Sequence, residues 1–402
     1  MHLFLQGLAA SAGGGLTYLR NVLPQLSARG DVQVTAAVSL PLRREFSGLP
    51  RVFLPELDLP AGALRRFWWE QTRLPAVVGR SGADVLISAG NFALRKSPVP
   101  QILLSRNSLY TSEDFARDLR QRREYGLWLD SRIKGSLARR SIGWAERTVA
   151  PSEAFAQELQ QWTGRRVVAI YHGFDREMFF RDQGPLPAEI REKFEQSKDA
   201  LRLLYVSHYN YYRNFETLLR ALPLLRPRLG GREIKLFLTC RLRSEDNPGS
   251  YRAGAAATLV KHLGVGDNVV ELGAVPYSVL HHVYRECSLY VTPAYAESFA
   301  HPLLEAMASG LPIVAADSAV HREICQDAAI YFQRFSPEEL AGQIGRIAAS
   351  GELSHKLSKS GQERSREFSW KRHVDELLEL AANLLSSTLP KDIETKPRDA
   401  LS

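Results

Sequence analysis

The stretch Thr292–Asp317 limits the fold more tightly than any other part of the chain. It reads Thr-Pro-Ala-Tyr-Ala-Glu-Ser-Phe-Ala-His-Pro-Leu-Leu-Glu-Ala-Met-Ala-Ser-Gly-Leu-Pro-Ile-Val-Ala-Ala-Asp. The run Leu289-Tyr290-Val291-Thr292 is β-branched and aromatic and predicts a strand that ends at Pro293. A loop follows, and Pro302 then marks a helix start. Proline costs little there, because the first amides of a helix have no internal acceptor. The spacing predicts a helix over Leu303–Ser309, with Gly310 at C′ and Pro312 just beyond. Ile313-Val314-Ala315-Ala316 reads as a second buried strand.

Two carboxylates flank the turn into that helix, Glu297 in the loop and Glu305 in its first turns. Between them lie the amides of Ser298, Phe299, Ala300 and His301. Open amides and the positive end of a helix dipole attract an anion. A phosphate held there would have sugar hydroxyls on one side and ribose hydroxyls on the other, and each carboxylate can accept from hydroxyls. That combination suits a nucleotide-diphosphate sugar.

The whole stretch resembles the Glu-x7-Glu region of retaining glycosyltransferases, in particular family 4, with its GT-B fold. The resemblance implies that Glu297 contacts the donor sugar, that the amides of Ser298, Phe299, Ala300 and His301 hold the distal phosphate, and that Glu305 binds the ribose. One departure is Ala300, where the family often has glycine; alanine keeps the amide but narrows the backbone's freedom.

Length and composition agree with this without selecting it. The chain of 402 residues suits two domains. Its formal net charge of +8 and pI near 9.4 favour anionic ligands of any kind. Cys240, Cys287 and Cys325 are far apart and form no CxxC pair, so neither zinc nor a disulfide framework is expected. The N-terminus lacks the pattern of a signal peptide, and no apolar run approaches the ~18 residues of a membrane span. The expected setting is cytoplasmic.

From the start, His2–Gln6 predicts a strand, Gly7–Gly15 a glycine-rich loop and Leu16–Ala28 a helix, the opening of a Rossmann-type unit. Further strands are predicted at Val32–Ser39, Arg51–Leu54, Asp84–Ser88, Pro100–Ser105 and Val167–Ile170. In Ala63–Val78 the tryptophans are expected to pack one helix face against the sheet. Residues 114–147 carry nine Arg or Lys. They predict two helices with a basic face, solvated or docked on an anionic membrane. No nucleic-acid-binding module is recognisable. The charged, proline-containing run 179–200 reads as a linker. Leu201–Ser207 then opens a second alternation of strands and helices, and Lys371–Leu385 a last helix.

The resemblance carries further residues. Gly14 and Gly15 match a loop that faces the donor phosphates. Ser207 ends a strand in the donor domain. His208 and Arg213 stand where the family usually has an arginine and a lysine on the diphosphate, and Leu272 and Gly273 mark the turn that reads the base. Arg106 and Asn107 replace a His-Asp pair, and His172, in Tyr171-His172-Gly173-Phe174-Asp175, replaces an asparagine; these three are the acceptor-side candidates. The implied architecture is α/β GT-B, two Rossmann-like doubly wound parallel sheets facing a cleft. Its parts are an acceptor domain over 1–178, a linker over 179–200, a donor domain over 201–370, a crossover helix over 371–387 and a tail over 388–402.

The implied reaction is transfer with retention from a nucleotide-diphosphate sugar, UDP favoured and GDP the other choice. The acceptor is a glycan, a lipid-linked or a small molecule. Glu297, Arg213 and His208 form the catalytic set. No metal or cofactor is expected, because no Asp-x-Asp lies on a strand-end loop. The competing readings are a nucleotide-sugar epimerase and a catalytically silent nucleotide-sugar-binding protein.

Overall fold

The computed structural model describes residues 1–10, 13–247, 249 and 251–388. It contains two sheets whose described pairings are parallel. The first has seven strands: β1 (His2–Gln6), β2 (Gln33–Ala37), β3 (Val52–Phe53), β4 (Val85–Ser88), β5 (Gln101–Leu104), β6 (Arg147–Ala150) and β7 (Val168–Ala169). Their order is β3-β2-β1-β4-β5-β6-β7. The second has six strands: β8 (Leu201–Tyr205), β9 (Ile234–Leu238), β10 (Val269–Glu271), β11 (Leu289–Thr292), β12 (Ile313–Ala316) and β13 (Ala329–Phe332). They run in the order β10-β9-β8-β11-β12-β13. These are two Rossmann-like sheets with crossover helices, the GT-B class expected from the sequence.

The second sheet has its switch point between β8 and β11, which pair through Leu203 with Leu289 and Leu204 with Tyr290. From β8 the chain winds outward through β9 and β10. From β11 it winds the opposite way through β12 and β13. The loops after β8 and β11 therefore diverge at their carboxyl ends and leave the crevice in which such sheets bind ligands.

By density of contacts the chain divides into two compact units. One is Met1–Leu104 with Ser141–Thr148 and the chain from Val374; the other is Ser105–Arg140 with Val149–His373. Segments 105–140 and 149–178 group with the second sheet for identifiable reasons. Arg122 pairs with Glu216 at 2.9 Å, the Ser152 hydroxyl donates to the Ser298 carbonyl at 2.8 Å, and the Phe174 amide donates to the Phe368 carbonyl at 3.3 Å. The last helix, Trp370–Thr388, passes from one unit to the other within its first turn.

Several local expectations are corrected. Gly14 and Gly15 lie in the first turn of the helix Gly13–Ser27, not in a loop. The helix after Glu297 starts earlier than expected, spanning His301–Ala308. Residues 179–200 are not a bare linker. They include the end of a helix Arg176–Phe180 and the helix Ala188–Glu195, whose Phe194 ring stacks on Phe237 with centroids 4.4 Å apart. Trp68 is 67% exposed, and only Trp69 packs on the core around Phe4, Leu74 and Leu86. Adjacent residues on the helix Ala63–Thr72 point about 100° apart, so both tryptophans cannot face the same core. The helix Gly351–Ser365 had no strong signal, because only Leu357, Gly361 and Ser365 of its 15 residues are buried. Arg122, read as part of a basic face, points inward between Asp118 and Glu216.

Gly173 fixes how the chain enters the last helix. A Cβ there would lie 2.0 Å from the Trp370 amide nitrogen and 2.4 Å from its Cα. These are backbone atoms that cannot rotate away, so the Tyr171–Asp175 turn and the 368–370 segment must separate to admit any side chain. We expect Gly173→Ala to lower stability by about 3 kcal/mol or more, the range of severe overpacking. Urea denaturation with an unchanged midpoint would contradict this.

Candidate active site at the β8–β11 switch point

The loop after β8 ends in a 3-10 turn, Tyr211–Arg213, followed by the helix Phe215–Leu225. Two hydrogen bonds fix Arg213 in place. The Tyr205 hydroxyl at the end of β8 donates to its carbonyl at 2.7 Å, and its amide donates to the Asn210 carbonyl at 3.2 Å. Asn214 takes the left-handed conformation, φ 53°, and its side-chain amide donates to the Pro293 carbonyl at 3.2 Å, joining this loop to the one after β11. The Tyr295 amide donates to the Tyr212 carbonyl at 3.0 Å and makes a second tie. With the loops bound together, the Arg213 guanidinium donates to the Glu297 carboxylate. Their side chains are only 20% and 10% exposed, so each charge is largely removed from water.

Beyond Glu297 the backbone turns sharply. Ala300 is the helix N-cap with φ 65° and ψ 63°, a left-handed conformation that costs an L residue about 1–2 kcal/mol. The glycine expected at this place would carry no such strain. Ala300 has no side chain that can cap the helix. Among the described residues, no protein acceptor takes the amides of Ser298, Phe299, Ala300 or His301. The Ser298 side chain is engaged elsewhere, since its hydroxyl donates to the Arg106 carbonyl at 2.8 Å.

Glu305 is 7% exposed and accepts from the Tyr284 hydroxyl at 2.7 Å. Burial pushes its carboxyl up to about 7, against the smaller opposing effect of the Tyr284 bond. Tyr284 lies 21 residues upstream on the helix Tyr277–Arg285, and no local motif singled it out. Burial and then the neighbouring Arg213 cation lower the pKa of His208. Both effects disfavour a charged His208 at the position where the family usually has an arginine. Ser207 uses its hydroxyl on the His208 carbonyl at 2.8 Å, and its amide meets the Thr239 hydroxyl at 3.0 Å. Leu272 continues the β9–β10 ladder by donating to the Leu238 carbonyl at 2.8 Å. Gly273 follows with φ 74°, facing the Arg241 side chain.

The acceptor-side candidates sit differently. Asn107 caps a 3-10 turn, accepting from the Leu109 amide at 3.1 Å, and its side chain also bonds Tyr110. His172 is buried in a cluster of rings. Its ring lies 5.2 Å from Phe299, 5.2 Å from His301 and 5.3 Å from Trp370. Burial, then the neighbouring His301, His373 and Arg106, hold His172 well below its ordinary pKa. His301 and His373 are each lowered to about 4, mainly by burial. Gly14 and Gly15 belong to the first unit.

A cavity of about 450 Å³ opens beside Glu297, lined also by Ser108, Glu158, Tyr295, Asp317 and Arg334. Reading the sequence did not find Glu158, Asp317 or Arg334. Glu158 is raised above the ordinary carboxylate range by burial, despite a bond from Thr111 and the nearby Arg334. Arg334 pairs with Asp114 at 2.8 Å. Among the described residues no group of three His, Cys, Asp or Glu is placed to hold a metal, and no helix is long and apolar enough to cross a membrane.

Comparison with known proteins bears on the family and the fold. A D-inositol 3-phosphate glycosyltransferase of Thermobifida fusca is 24% identical over 257 residues, 62% of this chain and 57% of the relative. Its counterpart from Segniliparus rotundus is 32% identical over 127 residues, 31% and 28% of the two chains. The chain thus matches between 28% and 57% of the length of these curated relatives. Among solved structures, sucrose-phosphate synthase from Thermosynechococcus elongatus superimposes with a TM-score of 0.73 at 18% identity, covering 96% of this chain and 100% of that one. Anabaena HepE, solved with UDP and glucose, gives 0.69 at 18% identity over 95% and 100%. Residues 188–364 match the family described as "Glycosyl transferases group 1", and residues 12–178 match "Glycosyltransferase Family 4". With both halves matched in chain order on a GT-B framework, this chain belongs to the family 4 (group 1) glycosyltransferases.

Proposed function

We propose that the chain transfers a sugar from a nucleotide-diphosphate sugar, a UDP sugar first, to an acceptor hydroxyl with retention of configuration. The observation that carries this is the set of four open amides, 298–301, at a helix start beside a buried Arg213. In this reading the diphosphate lies on those amides, where the helix dipole and Arg213 offset its charge. Arg213 exchanges Glu297 for phosphate oxygens, and the freed Glu297 orients the sugar. Glu305 takes ribose hydroxyls. The base lies along Leu272 and Gly273, with Ser207 and His208 as neutral polar contacts. The leaving diphosphate is stabilised by protein groups rather than by a metal ion. HepE, a fold relative, was solved with UDP-glucose, and the curated relatives' name specifies a phosphorylated polyol; both guide the choice of probes.

Arg213→Ala should abolish the rise in melting temperature that UDP-glucose gives the native chain, since that rise measures binding. Glu297→Gln should keep most of the rise with UDP but lower transfer by about 10²–10³-fold, the cost of losing one group aimed at the transition state. Removing either partner alone strands a buried charge, so the double variant should melt higher than Arg213→Ala. An undiminished UDP-glucose shift in Arg213→Ala would remove the diphosphate from this site.

The pH response should follow Glu305. Its pKa is raised to about 7, so it loses its proton as pH rises through that value and becomes a pure acceptor above it. UDP-glucose, whose phosphates do not titrate in this range, should bind about tenfold more tightly at pH 8 than at pH 6. Loss of charge on His208 as pH rises would weaken anion binding, the opposite direction, so His208 cannot produce this gain. Glu305→Gln should flatten the profile in a titration calorimeter; a slope that survives the substitution belongs to another group.

Transfer with UDP-glucose should persist in excess EDTA, to within about twofold, because no metal is assigned the Lewis-acid role. Loss of activity restored by Mg²⁺ or Mn²⁺ would reject this part of the reading.

A further inference from the structure

The second unit holds another concavity, of about 380 Å³, bounded by Tyr110, Trp162, Arg132 and Arg139. It shares Thr111, Ser112 and Glu113 with the cavity beside Glu297, so the two adjoin. Gly135 keeps it open: a Cβ there would sit 3.5 Å from Tyr110 Cβ and 3.9 Å from the Trp162 ring, so any larger side chain would grow into this space.

Its two lining arginines carry no ion pair among the described residues. Of the other cations nearby, Arg117 and Arg334 pair with Asp114, Arg122 with Asp118 and Glu216, and Lys134 with Asp130, whereas the exposed Arg123 and Arg140 lie outside its lining. Among the described residues, Arg132 and Arg139 have no hydrogen-bond or ion-pair partner. They are seven residues apart on the helix Tyr125–Trp144, so they project from nearly the same face about 10 Å apart along its axis. Two unmatched guanidinium forks, an aromatic wall and a glycine-kept opening make a receptor for a phosphate or carboxylate. The same helix exposes Tyr125, Leu129 and Ile133 in an i, i+4, i+8 row beside the arginines. A hydrocarbon chain attached to the anion would have an apolar surface to follow.

We propose that this concavity is the subsite for a phosphate carried by the acceptor, whose polyol part reaches into the cavity at Glu297. The proposal rests on the reading of the Glu297 cavity as the transfer site. Its chemistry fits a soluble sugar or polyol phosphate and a lipid headgroup alike, and the test separates them.

Binding of the full chain to inositol 3-phosphate and to inositol is compared by calorimetry. In parallel, its sedimentation is compared on phosphatidylcholine vesicles with and without phosphatidylinositol. The same measurements are made on Arg132→Ala/Arg139→Ala and on Gly135→Leu, with UDP-glucose affinity and melting temperature as controls. The native chain should prefer the phosphorylated partner in at least one arm. The double variant should lose that preference by about 10–100-fold, as expected for charge-assisted contacts, with UDP-glucose affinity unchanged. Gly135→Leu should lose it by steric filling with both arginines intact. A preference confined to the soluble arm identifies a free phosphate, and one confined to vesicles identifies a lipid headgroup. No preference in either arm, or a preference that the double variant keeps, overturns the proposal. Failure of UDP-glucose to bind the native chain would instead remove the donor reading and leave the phosphate result standing.

Discussion

Arg213 and Glu297 neutralise each other where neither could be buried alone. Desolvating one unpaired charge there would cost several kcal/mol, and an ion pair recovers this only with good geometry. Here the geometry comes from backbone ties that involve neither charged group. Asn214 binds the Pro293 carbonyl, Tyr295 binds the Tyr212 carbonyl, and Tyr205 holds the Arg213 carbonyl. The loops after β8 and β11 are thus fastened first, and the ion pair occupies the gap they define. Such a pair contributes little net stability but fixes one arrangement of two loops that could otherwise take several.

The same constraint explains the strain at Ala300. The chain leaves β11, must reach Arg213 with Glu297, and must then begin a helix within four residues. A left-handed residue is the shortest way to reverse direction there, and the buried packing of Phe299 and Leu303 on either side holds it in place. The strained turn has a visible consequence: among the described residues, amides 298–301 have no protein acceptor. Local strain at such a point, maintained by surrounding structure, is what a binding loop requires.

How much of this could be read from the chain depends on the range of the interactions. Most strands of both sheets and the helix Phe215–Leu225 were legible because hydrophobic runs are local signals, whereas β6 and β13 were not read from the chain. Glu297 and Arg213 were legible through motif position, although nothing local showed that they would touch. The state of Glu305 was not legible: its raised pKa comes from burial under elements distant in sequence, and Tyr284 gives no sign of its role. Arg122 was misread for the same reason. In sequence it belongs to a run of arginines, whereas in space it lies over the Tyr211 ring at 4.3 Å and between two acids. The helix Gly351–Ser365 escaped because its contact with Met307 runs through Gly361, which carries no hydrophobic signal.

The distribution of titrating groups around this turn follows from the same burial. His172, His301 and His373 pack ring against ring beneath the helix start, and desolvation keeps all three neutral at physiological pH. His208, on the exposed side, is held neutral partly by Arg213 itself. The lasting positive potential at the amides therefore comes from a guanidinium and from backbone dipoles, neither of which responds to pH near 7. The burial that lowers His172, His301 and His373 raises carboxyls instead: Glu305 is pushed up to about 7, and Glu158 at the neighbouring cavity is raised as well.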